Sequence, residues 1–179
     1  MNFFITFLIV FSALLHAGEL APRTIPDYCR HPDGSSCDFY EECVAAAYPQ
    51  CTGGRFDYAM GYGHKFCTKF NDNLMNFTTA GQTWINDVRK CLEIALADTA
   101  IEAYLNGNPM TCRQIQDAAF ASHAPCYLEP QPEADGVCQL PMSDFKLIIK
   151  VTLEAASDAF RQYVLQIIET VQGCLVQWG

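Results

Sequence analysis

The longest apolar stripe in the chain runs from Phe145 to Val171. Phe145, Ile148, Ile149, Thr152, Leu153, Ala156, Phe160, Tyr163, Val164, Ile167, Ile168 and Val171 recur at steps of three and four, with Lys146, Lys150, Glu154, Asp158, Arg161 and Glu169 largely off the stripe. This pattern predicts a helix opening at Ser143. A second stripe, Trp84, Ile85, Val88, Cys91, Leu92, Ala95 and Leu96, follows Thr79 and Gln82, whose spacing is that of a capping box. Phe66, Phe70 and Leu74 place one face of an earlier helix inward, and Asp38 with Glu41 resembles a capping pair for a short helix that Pro49 stops after Tyr48. Thr111 and Gln114 cap a further helix to about Ser122, after the break at Asn106-Gly107-Asn108-Pro109. The glycine- and aromatic-rich stretch between Cys51 and His64 reads as a turn-bearing connection, and residues 124–141 read as an exposed loop. No alternating pattern of comparable length competes, so the fold class expected is all-α, with one disulfide-rich domain.

The first residues change the compartment. Phe3 to Leu15 is apolar and uncharged, too short to span a bilayer comfortably and placed where a secretory signal belongs, so residues 1–17 are read as a signal peptide. Residues 18–36, with three prolines, read as an irregular leader, and 37–179 as the helical domain. No later apolar run is long enough to cross a membrane. All ten cysteines follow the signal, and an even number in an exported chain argues for five bridges, whose pairing composition leaves open. The net charge of −9, without a basic run, disfavours nucleic acid as a partner.

Little in the sequence suggests catalysis. There is no G-x-S-x-G elbow, and bridged cysteines leave no thiolate for a nucleophile. Cys29 with His31, and His64 with Cys67, are isolated halves of a zinc site. Asn71-Asp72-Asn73 lacks a calcium loop around it, and His64 is not followed by the aspartate that a phospholipase-like site requires. No cofactor is expected. Tyr58, Tyr62, Phe66, Phe70, Phe77 and Trp84 form a run that suits either an aromatic binding box or core packing, and the spacing favours the core. Asn76-Phe77-Thr78 is the single N-x-Ser/Thr sequon that lacks a proline at the middle position, and its place in an inter-helix turn makes Asn76 a glycosylation candidate.

The stretch from Cys67 to Cys91 resembles the stanniocalcin family of secreted glycoprotein hormones, in Cys67, Phe70, Phe77, Gly81, Trp84 and Cys91 and the distances between them. The likeness continues in the fourteen-residue step from Cys112 to Cys126, and the ten cysteines correspond in order to the family's ten intrachain cysteines over about residues 29 to 174. The resemblance implies the bridges Cys29–Cys43, Cys37–Cys67, Cys51–Cys112, Cys91–Cys126 and Cys138–Cys174. It also implies a regulator of calcium and phosphate homeostasis, or an inhibitor of an extracellular metalloprotease, that acts on an extracellular protein partner or receptor.

The last bridge conflicts with the apolar stripe. A continuous helix from Ser143 to Cys174 would be about 47 Å long, whereas bonded cysteines have Cα atoms within about 7 Å and the five residues before Ser143 reach at most about 18 Å. Either the pairing is different or the stripe is a helical hairpin. A hairpin is preferred here, turning at residues 155–158, where Ser157 or Asp158 can cap a second helix. Two features depart from the family: the sequon lies between the fifth and sixth cysteines, and the sequence ends five residues after Cys174 without the tail that carries the intersubunit cysteine. A covalent homodimer is therefore not expected. The competing expectation, prompted by the apolar stripe, is a secreted lipid-binding or venom-type effector.

Overall fold

The computed structural model describes residues 24–130, 135–155, 169–170 and 172–174. Among them there is helix and no strand. Five main helices carry the fold: α1 (Phe39–Ala45), α2 (residues 59–72), α3 (residues 79–105), α4 (Cys112–Leu128) and α5 (Met142–Ala155).

Local chemistry explains where each helix begins. Asp38 does not cap α1 with its side chain; its carbonyl accepts from Glu41 and Glu42, while its own N–H donates to Ser36 Oγ at 3.1 Å. The α2 helix starts inside the stretch expected to be a connection. The Asp57 carboxylate accepts from Gly53 N at 2.7 Å and from Met60 N at 3.1 Å, so one side chain closes the loop and opens the helix. Gly63 then allows α1 and α2 to approach closely, because a Cβ there would lie 2.4 Å from the Tyr40 ring.

The cap of α3 is Thr78 rather than Thr79. Thr78 is extended (φ −63°, ψ 166°), and its hydroxyl accepts from Gly81 N. Asp144 at the start of α5 selects this residue, because its buried carboxylate accepts both the Thr78 N–H and the Thr78 hydroxyl. Gln82 still reaches back, donating to Phe77 O at 3.0 Å. Gly81 has a steric reason to lack a side chain: a Cβ would sit 2.5 Å from Asp144 Oδ2. The helix ends at Gly107, whose φ of 72° suits a residue without Cβ.

The Thr111–Gln114 capping box at α4 is present in both directions. The helix outruns its expected end near Ser122 and continues through Pro125 to Leu128, shortening the expected loop. Proline lacks the N–H that would bond one turn back. Tertiary ties hold this last turn: Cys126 is bonded to Cys91, and Trp84 Nε1 donates to Tyr127 O at 3.1 Å.

Five disulfides join Cys29–Cys43, Cys37–Cys67, Cys51–Cys112, Cys91–Cys126 and Cys138–Cys174, with Cα separations of 5.5, 5.7, 5.3, 5.7 and 5.4 Å. The last of these returns Cys174 to the chain entering α5 and excludes one unbroken helix from Ser143 to Cys174. Ala155 is the last described residue of α5; the rest of the expected turn at 155–158, the remaining stripe over residues 156–168 and at 171, and the signal segment lie outside the described residues.

Two buried clusters make the core. One gathers Phe39, Tyr40, Val44, Tyr48, Tyr58, Tyr62 and Phe66 with Leu96, Ala97, Ala100 and Ile101 of α3, and the other gathers Phe77, Trp84, Ile85, Val88 and Leu92 with Val137 and Val151. Aromatic side chains dominate the first and mixed aliphatic and aromatic ones the second. Among the described residues, the space between the clusters is not filled.

Candidate functional site: an apolar cavity between the core clusters

A cavity of about 560 Å³ lies where the two clusters meet, a size within the roughly 300–1,000 Å³ of small-molecule sites. Tyr40, Tyr58, Tyr62 and Phe66 supply the wall from the first cluster, and Trp84, Ile85, Val88 and Leu92 the wall from the second. Phe145, Ile148, Ile149 and Leu153 of α5 form a further wall. Ile149 and Leu153 are 41% and 58% exposed, which marks where the cavity meets solvent.

The run of aromatics judged better suited to core packing thus has a second role. Tyr58, Tyr62, Phe66 and Trp84 are buried, as core residues are, and Phe70 is partly buried; all five line the cavity, whereas Phe77 packs away from it. Tyr62 stacks on Phe66 with ring centroids 4.2 Å apart and on Tyr58 at 5.6 Å. These stacks hold the α2 wall as one aromatic surface.

The polar groups on the wall are few, and most are paired. His123 is buried on α4, with Tyr58 Oη 2.8 Å from its Nε2 and Tyr127 Oη 3.0 Å from its Nδ1. Which phenol donates to the ring and which accepts from it depends on the tautomer of His123. Burial pushes the Tyr40 and Tyr58 phenols well above the ordinary tyrosine range, keeping them as neutral hydrogen-bonding groups. Thr152 donates to Ile148 O at 2.7 Å. Thr170 Oγ1, on the cavity wall, is buried without a hydrogen-bond partner.

The cation on the wall is Arg89, four residues after Ile85 and three before Leu92, which places it on the inward face of α3. Its guanidinium donates to Gly34 O at 2.5 Å, Asn71 Oδ1 at 3.0 Å and Asn86 Oδ1 at 2.8 Å, all of them neutral acceptors. Glu93, one turn further along α3, is buried, and its Oε1 has no hydrogen-bond partner. Desolvation raises its pKa to about 8, against the opposing pull of Arg89. At neutral pH this carboxyl keeps its proton and does not cancel the arginine charge.

The other residues singled out in the sequence lie elsewhere. The ten cysteines are all consumed by the five bridges. Asn76 is exposed just before α3, with its amide 3.4 Å from Asn73 Oδ1. Asn71 serves Arg89, and no group of three or more His, Cys, Asp or Glu side chains suited to a metal gathers among the described residues. No helix among them is long and apolar enough to cross a membrane. The signal for the cavity in the sequence is the arginine that interrupts the apolar face of α3 opposite an aromatic run.

No family model, curated protein or solved structure matches the chain. The fold and the site together define an all-helical, disulfide-locked domain built around an apolar cavity.

Proposed function

We propose that this chain is a secreted, non-catalytic stanniocalcin-like glycoprotein that acts as a signal or inhibitor on an extracellular protein partner. The roles the resemblance implies are calcium and phosphate homeostasis or restraint of an extracellular metalloprotease. The observation that carries this reading is the bridge pattern. Along the sequence each of the first four disulfides overlaps the next, the fifth stands apart, and all five join the partners the resemblance implies. Ten cysteines admit a very large number of pairings, so agreement in every bond supports a shared scaffold. The test has two parts. Protein secreted from cultured cells is mapped by proteolysis without reduction, then applied to cells and to extracellular metalloproteases, with calcium and phosphate uptake and peptide cleavage as readouts. Correctly paired protein that alters neither process, or that itself turns over a substrate, overturns the proposal.

The cavity favours a second reading, a carrier of a small apolar ligand, in line with the lipid-binding expectation. A wall made almost wholly of aromatic and aliphatic side chains, open beside Ile149 and Leu153, suits an apolar molecule better than a polar one. Organic extraction of protein purified from its native medium, followed by mass spectrometry, tests it: a stoichiometric apolar molecule supports the reading, and none in any preparation removes it.

A further inference from the structure

We infer that the cavity takes a monocarboxylic lipid of the fatty-acid type, its chain among the apolar walls and its carboxylate on Arg89. This rests on the carrier reading above and adds the chemical class of the ligand. The argument starts from donors. A guanidinium carries five N–H groups, and Arg89 commits three of them, to Gly34, Asn71 and Asn86. Two remain, one on each terminal nitrogen, and guanidinium N–H groups of this kind are suited to a carboxylate.

Charge selects the partner. The three acceptors around Arg89 are neutral amide oxygens, so they orient the guanidinium without neutralising it. Glu93, the carboxyl coupled to it, lies buried on the same helix. A positive group held on the wall of an otherwise apolar space is complementary to a molecule with one anionic head and one apolar body. The remaining surface narrows the choice further. Aromatic stacks on α2 and aliphatic side chains on α5 offer extended contact to a hydrocarbon chain, and Thr170 Oγ1 offers one buried hydroxyl to a group of modest polarity.

The test is direct binding of oleate and oleyl alcohol to the full, disulfide-intact and delipidated protein, followed by equilibrium dialysis below the aggregation concentration of each. Loss of one charge-assisted contact corresponds to roughly 10- to 100-fold in affinity. Oleate is expected to bind at one per chain and more tightly than the alcohol by that factor. Arg89→Met is expected to abolish the difference and Arg89→Lys to restore most of it. Equal binding of acid and alcohol by the unsubstituted protein overturns the carboxylate assignment while leaving the carrier reading intact, and this comparison needs no variant to fold. Binding of neither molecule overturns both. Selective oleate binding that persists unchanged in Arg89→Met places the head elsewhere and overturns the assignment to Arg89.

Discussion

Replacing Glu93 with glutamine separates a buried carboxyl's proton from its shape. Glu93 is 1% exposed on α3, its Oε1 has no partner, and burial dominates the rise of its pKa to about 8, with Asp33 adding to the rise while Arg89 and the Gly34 N–H oppose it. In the unfolded chain the same group titrates near 4.5. Between those two values the native state holds the extra proton, so stability is highest below the unfolded pKa and falls as pH rises, levelling once the folded group also ionises. The slope is about 1.4 kcal/mol per pH unit, which amounts to about 3 kcal/mol lost by pH 7. Glutamine cannot ionise and carries no such dependence. Guanidinium unfolding with bridges intact, at several pH values from 4.5 to 8.5, measures it. The two proteins are expected to be close in stability at the acid end, with the variant ahead by about 3 kcal/mol at neutrality. Parallel stability profiles across the whole range would refute the argument that Glu93 is buried in its neutral form.

Three further outcomes follow from the same geometry. Gly81→Ala gains about 1 kcal/mol of helix propensity but drives a Cβ to 2.5 Å from a carboxylate already pinned by Thr78; a net loss of about 1–3 kcal/mol is expected in denaturant unfolding. Replacing Cys91 and Cys126 together by alanine opens a loop with a separation of 35 residues and is expected to cost about 4 kcal/mol on the chain-entropy model, read as a lowered unfolding midpoint. Asn76→Gln is expected to remove a glycan-dependent shift in electrophoretic mobility from the secreted protein while leaving its melting temperature within a degree or so, because the side chain is exposed and makes one long contact.

How much of this was legible in the sequence depended on how local the cause was. The helical class followed from the stripes, and the Thr111–Gln114 cap from four adjacent residues. The α3 cap moved by one residue because Asp144, 66 positions away, captures Thr78. No local rule could choose between two consecutive threonines. The α4 helix outran its expected end because Cys91 and Trp84 hold the turn that contains Pro125. The apolar stripe alone would have drawn one helix to Cys174, and the Cys138–Cys174 bond excludes it. The aromatic run was seen, but periodicity reports only that side chains face inward. Whether they meet or enclose a space depends on how two clusters from distant segments fit together.

The cavity itself makes a prediction with a definite sign. In a filled core, enlarging a side chain costs about 1–3 kcal/mol, because neighbours must leave their rotamers. Val88 is 7% exposed, which alone would place it in such a core, yet it also lines the space between the clusters. The space opens to solvent beside Ile149 and Leu153, and its walls offer that solvent few polar partners. Val88→Phe adds apolar volume where solvent is poorly held, so the ligand-free protein is expected to gain up to about 1–2 kcal/mol rather than lose it. The same substitution should weaken capture of any cavity ligand, giving opposite changes in stability and binding from one residue. A loss of stability in the delipidated protein of the size seen for overpacked cores would mean that the two clusters close on each other, and the site would vanish with the space.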